Sequence, residues 1–77
     1  MSKFNSVKFI AGSLDFDWFE VKDWDKVEVH IKGNFLDSCG IDTAREDEVV
    51  IEWGIKGGRV YIEGEGEWEF ECGYRSF

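Results

Sequence analysis

Residues 49–73 read VVIEWGIKGGRVYIEGEGEWEFECG, and the fold turns on this stretch. Val49, Ile51, Trp53 and Ile55 recur at every second position, as do Val60 and Ile62, and then Trp68, Phe70, Cys72 and Tyr74. A period of two marks strands with one face on a core and the other in water. Gly57-Gly58 and Gly64-Glu65-Gly66 separate the runs and supply the conformational freedom that tight reversals need. Three antiparallel strands joined by two hairpins are therefore predicted.

Upstream, Val7 and Phe9 form a shorter run, and Leu14, Phe16 and Trp18 alternate with Asp15 and Asp17. Adjacent Trp18 and Phe19 then shift the parity, which predicts a bulge that returns Phe19 and Val21 to the core face. Val27, Val29 and Ile31 alternate with Glu28, His30 and Lys32 and read as a further strand, bringing the count to six. Ala11-Gly12-Ser13 and Asp23-Trp24-Asp25 are the remaining turn signals. Residues 33–47 read as one irregular connection, with Phe35, Leu36 and Ile41 closing an end of the core. Thr43 followed by Glu46 has the form of a capping box, so a short helical turn is expected near residues 43–47. The expectation is a single all-β domain over residues 1–77, an antiparallel meander forming a curled sheet or small barrel.

Composition agrees with a small folded domain. The 77 residues are 43 % apolar and 17 % aromatic, with four Trp and seven Phe, which suffices for a thin core despite a net charge of −8. Mass scaling predicts a folded surface of roughly 4,800 Å². No apolar run follows Met1–Ser6 as a signal peptide requires, and charges interrupt every apolar segment before it reaches membrane-spanning length. Cys39 and Cys72 lack the spacing of a metal knuckle or redox pair, and reduced thiols in a cytoplasmic protein are expected.

The acidity is concentrated in the C-terminal half. Residues 46–72 hold Glu46, Asp47, Glu48, Glu52, Glu63, Glu65, Glu67, Glu69 and Glu71 against Lys56 and Arg59. A two-residue hairpin at Gly57-Gly58 would pair Lys56 with Arg59, Ile55 with Val60, Gly54 with Tyr61, Trp53 with Ile62 and Glu52 with Glu63. A three-residue loop at residues 64–66 would then set Glu63 opposite Glu67, Tyr61 opposite Glu69 and Arg59 opposite Glu71. The outward face would carry a row of Glu52, Glu63 and Glu67, with Tyr61 covering Gly54. Folding gains nothing from such a row. Along the last strand Glu67, Glu69 and Glu71 would recur about every 6.8 Å, close to two base steps of a duplex.

Equipment for catalysis is sparse. His30, the sole histidine, lies between Glu28 and Lys32 in a solvated context. A Cys39–His30 pair is a weak candidate for a small thiol enzyme, because acidic neighbours at Asp37 and Asp42 raise a thiol's pKa. No phosphate loop or dinucleotide fingerprint occurs, and negative charge disfavours direct nucleic-acid binding. A flat glutamate face does not wrap a calcium ion. No catalytic residue, metal or cofactor is assigned.

The resulting expectation is a non-enzymatic acidic binding protein for a basic protein partner. Its contact residues would be Glu52, Glu63, Glu65, Glu67, Glu69, Glu71 and Tyr61. In size, charge and lack of catalytic groups the chain is similar to the compact acidic inhibitors, DNA mimics and anti-CRISPR proteins among them, that phages and mobile elements direct against host defence. The runner-up is an assembly module that uses aromatic or edge-strand contacts.

Overall fold

The structure, a computed structural model, describes residues 3–77; Met1 and Ser2, from which the reading of the N-terminus starts, lie outside the described residues. Six stretches are strands: β1 Ser6–Ala11, β2 Leu14–Asp15, β3 Phe19–Glu20, β4 Val49–Trp53, β5 Gly57–Ile62 and β6 Gly66–Gly73. They form one antiparallel sheet in the order β2-β1-β6-β5-β4, with β3 also on β1. The sheet path is open. Among the described residues no barrel closes. Of the six strands expected, the one at Val27–Lys32 is part of a helix, α1, running Val27–Cys39. The one from Leu14 to Val21 is split into the two-residue β2 and β3, so five of the expected strands form the sheet.

The helix wins at Val27–Cys39 because of what lies beyond Ile31. Phe35 and Leu36 are adjacent, so a strand would bury one and expose the other. A helix buries Val27, Ile31, Phe35 and Leu36 together, leaving Val29 outside at 59 % exposure. Gly40 ends it in the left-handed conformation at φ 71°, with Ile41 N–H donating to Leu36 O at 2.9 Å. Topology needs such a crossing, because β3 ends at one side of the sheet and β4 begins at the other. Four inter-strand steps span about 19 Å, and thirteen helical residues span about 20 Å.

Residues 33–47 are therefore helix, a short link and a 3-10 turn at Thr43–Glu48, and not one irregular loop. The helical turn expected near residues 43–47 is present. Its cap is Asp42, whose Oδ1 accepts from Ala44 N at 2.9 Å, one position earlier than the capping box implied. A second 3-10 turn, Trp24–Lys26, is capped by Asp23.

The core lies between α1 and one face of the sheet: Val7, Phe9, Val21, Val49, Val60, Ile62, Phe70 and Cys72 meet the buried helix residues. Phe16 meets Phe9 edge-on, Phe19 lies tilted against it, and Phe35 meets Trp68 edge-on at 5.2 Å. The parity shift at Trp18-Phe19 is a one-residue offset. Phe16, Asp17 and Trp18 face Lys8 and Phe9 alone, between the pairs Ile10–Asp15 and Val7–Phe19. That extra residue sends Trp18 to the far side of the sheet. Its ring fills the space above Gly73, where a Cβ would sit 2.9 Å away, and Arg75 lies 4.9 Å from the ring centroid. The accessible surface of 5307 Å² exceeds the mass-scaling figure by about a tenth, as expected for a sheet covered on one face.

Candidate functional site

The uncovered face of the sheet carries the residues singled out in sequence, in a different register. β4 and β5 pair Glu52 with Arg59, Trp53 with Gly58, Ile51 with Val60 and Val50 with Tyr61, four residues away from the expected hairpin. The diglycine is not the turn. Gly57 and Gly58 are the first residues of β5, and the reversal is Gly54–Lys56, closed by Gly54 N–H donating to Gly57 O. Close backbone approach explains both glycines: a Cβ on Gly57 would lie 2.0 Å from Phe70 O, and one on Gly58 would lie 1.9 Å from Glu52 O. Because the shift is even, the residues that stay within the strands keep their predicted faces while their partners change. Ile55, expected on the core face, lies in the turn at 93 % exposure, and Tyr74 lies past the end of β6 at 75 %.

The second hairpin shifts by two. β5 and β6 pair Ile62 with Gly66, Tyr61 with Glu67, Val60 with Trp68 and Arg59 with Glu69. Its turn is Glu63-Gly64-Glu65, with Gly64 at φ 81° and Glu65 N–H donating to Ile62 O at 3.1 Å. The expected row of Glu52, Glu63 and Glu67 does not form. Glu63 sits in the turn, and Arg59 stands between the other two. Arg59 bonds Glu52 through both Nε and Nη2, and reaches Glu67 through Nη1 at 3.3 Å. Sequence reasoning missed this cation because the wrong register placed it opposite Glu71. Tyr61 does not cover Gly54; it pairs with Val50 and its hydroxyl donates to Glu52 Oε2 at 3.4 Å. The glycine covered by an aromatic ring is Gly73, under Trp18.

Arg45 repeats the pattern at the other end of β5, with ion pairs to Glu48 and Glu65, each at 3.0 Å. Both arginines thus hold two carboxylates. Arg59 keeps the Glu52 carboxyl below its usual range, chiefly by hydrogen bonding, and Arg45 does the same for Glu48. No ion pair to Glu63, Glu69 or Glu71 forms among the described residues. On the sheet face Glu69 sits between Arg59 and Ile10, and Glu71 between Gly57 and Lys8. Glu67, Glu69 and Glu71 remain exposed on one side of β6, which has strands on both of its edges. Beside them the β5–β6 hairpin forms an open concavity of about 520 Å³, lined by Tyr61, Glu63, Glu65 and Glu67.

The residues weighed for chemistry do not converge. His30 and Cys39 lie on the same helix nine positions apart, two and a half turns, which puts them on opposite sides and about 13 Å apart along the axis. Burial pushes the Cys39 thiol up, and burial together with Glu71 pushes Cys72 up to about 11, so neither is an activated thiolate. Both cysteines are free. Among the described residues no three His, Cys, Asp or Glu side chains gather as metal ligands. Among the described residues no helix is long and apolar enough to cross a membrane. No protein-family model, curated protein or solved structure matches the chain.

Proposed function

We propose that the chain is a non-enzymatic acidic binding protein that engages a cationic protein surface through the β5–β6 hairpin and the outer face of β6. The observation that carries the reading is the concavity lined by Tyr61, Glu63, Glu65 and Glu67, continuous with Glu69 and Glu71. An arginine or lysine side chain entering it meets Glu63, which has no ion pair among the described residues, then Glu65 and Glu67, each shared with an arginine of the chain, and the aromatic ring of Tyr61. The two arginines nearby already hold two glutamates each, so the surface keeps a negative surplus. Glu52 is reassigned: it serves the sheet by pairing with Arg59, and Glu63, Glu69 and Glu71 become the leading contacts.

The partner class that fits is a basic protein, such as a nucleic-acid-handling enzyme or defence complex of a host. The alternate carboxylates of β6, held on a strand with neighbours on both sides, support the DNA-mimic form of this reading, in the manner of phage inhibitors and anti-CRISPR proteins. Such binding is steered by charge and weakens with salt. Capture of basic proteins from a lysate at low and at high salt tests it, repeated with the triple substitution E63Q/E69Q/E71Q. Association should slow about tenfold or more in the triple variant. Capture that is indifferent to salt and to these substitutions would rule the acidic face out.

A further inference from the structure

The edge of the sheet at β4 carries an inference independent of the acidic face. Hydrogen-bond alternation fixes which backbone groups of β4 are free. Gly54 N–H donates to Gly57 O at the end of the β4–β5 ladder, and Cys72 N–H donates to Lys56 O at the end of the β5–β6 ladder. In antiparallel pairs the bonded positions alternate. Glu52 and Val50 therefore bond Arg59 and Tyr61, while the even residues of β5 bond β6. The N–H and C=O groups of Val49, Ile51 and Trp53 point away from β5. Val49 N–H is already taken, donating to Glu46 O of the preceding 3-10 turn. What remains is Ile51 with both groups free, Trp53 with both, and Val49 with its carbonyl.

We infer that β4 pairs with β4 of a second copy of this chain, antiparallel and centred on Ile51. This two-fold register uses every free group but the Trp53 carbonyl, whose opposite donor, Val49 N–H, is already taken. Ile51 exchanges both bonds with Ile51 of the other copy, and each Trp53 N–H meets a Val49 carbonyl, giving four bonds. It is also the register in which charge does not obstruct. Glu52 is the one charged residue on β4, and it falls opposite Val50 of the other copy, with its own Arg59 still attached. The two Glu52 residues are diagonal neighbours, about 7–8 Å apart. Val50 at 41 % and Trp53 at 44 % exposure, with Ile55 at 93 % in the adjoining turn, give this edge apolar surface that water does not favour. Proline, lysine and bulges, the usual defences of an edge, are missing from β4. Pairing along five residues falls below a standard interface, so the dimer is weak and concentration-dependent.

Sedimentation velocity of the full chain across a wide concentration range tests the inference, with a charge swap at exposed Val50. V50E sets two like-charged pairs across the axis, and V50K sets two attractive ones. Self-association should fall in the first and rise in the second, each by roughly two- to thirtyfold, because symmetry counts every pair twice. Amide exchange supplies a second readout. Ile51 and Trp53 should gain protection as concentration rises, while Val50 and Glu52 stay protected throughout. Added salt should strengthen the dimer by screening two copies of charge −8, the opposite of its effect on a cationic partner. A mass that stays monomeric at every concentration would overturn self-pairing, as would V50E and V50K acting alike. It would do so whether or not the acidic face binds its partner.

Discussion

The two edges of the sheet are built on opposite principles. Along β1 the chain doubles back, and β2 and β3 pair with it on either side of the break. The same region is fastened to the C-terminus: Asn5 Nδ2 donates to Arg75 O, Asn5 Oδ1 accepts from Arg75 N, and Ser6 Oγ donates to Gly73 O, each at 2.8 Å. Trp18 then lies across the seam. Along β4 the described residues offer less. Val49 N–H donates to Glu46 O and Trp53 Nε1 donates to Glu28 of α1 at 2.7 Å, but no strand pairs with its outer edge. One side ends in two strands of two residues each, too short to template a partner. The other ends in a strand of five residues that leaves polar groups and apolar side chains to water or to a partner. What this teaches is where the molecule is finished and where it is open: β1 is covered by β2 and β3, and β4 is the side on which the sheet can still grow.

The sharpest way to break the comparison is to remove the open edge from the sheet. Substituting Gly58→Ala places a Cβ against Glu52 O, at the seam where β4 docks. Backbone there has no flexible end to give, so the cost should reach about 3 kcal/mol, the upper part of the overpacking range. Total stability for 77 residues is roughly 4–12 kcal/mol, so this is a large share of it. Gly66→Ala, with open space around the new methyl, is the matched control and should stay within about 1 kcal/mol. Urea denaturation compares them, and equal midpoints would mean that β4 is not held by this close approach.

The same seam explains how much was legible in sequence. The faces of β4, β5 and β6 were readable because alternation fixes them whatever the partner. Registers were not, because Gly57-Gly58 satisfies two demands with the same residues: conformational freedom in a turn, or space for a neighbouring carbonyl. Sequence shows the glycine and not the demand. At Val27–Ile31 the spacing of apolar residues fits a strand over five positions and a helix over thirteen. The deciding signals were Val27, Ile31 and Phe35 at intervals of four, the adjacent pair Phe35-Leu36, and Gly40 as a stop. The parity shift near Trp18-Phe19 was legible in the sequence, but it is a break of three residues between β2 and β3 with a one-residue offset, and not a bulge within one strand. Of the candidate site, the exposed glutamates of β6 were readable from the same alternation. The role of Arg59 depended on register and was hidden.

A smaller effect is expected at the covered edge. Ser6 is fully buried and its hydroxyl bonds Gly73 O, a carbonyl that also accepts from Asn5 N–H at 2.9 Å. Ser6→Ala removes one of the two bonds and leaves the acceptor satisfied, so the loss should be about 1 kcal/mol. Amide exchange should locate it at Asn5 and Val21, where β3 joins, with β4 unaffected. A loss spread evenly to β4 would show that the two edges are not independent.

The smallest effect is electrostatic and belongs to the open edge. Glu52 is an exposed carboxylate whose pKa is lowered in the folded protein by Arg59, with a lesser contribution from the Tyr61 hydroxyl. A group depressed on folding contributes stability above its unfolded pKa, and that contribution is lost as pH falls through the folded value. Acidification from neutral through the carboxylate range should therefore weaken the hold of Glu52 on β5. Solvent and salt screen an exposed pair, so the change in global stability is slight and is better read at the site. In Arg59→Met, the Glu52 carboxyl followed by NMR should titrate at a higher pH than in the parent, while Glu48, held by Arg45, does not move. Edge pairing sharpens the expectation: without Arg59, Glu52 carries an uncompensated charge beside the two-fold axis, so the dimer of Arg59→Met should weaken at neutral pH and recover as Glu52 is protonated. A dimer indifferent to both the substitution and pH would place Glu52 away from the axis and rule out the register centred on Ile51.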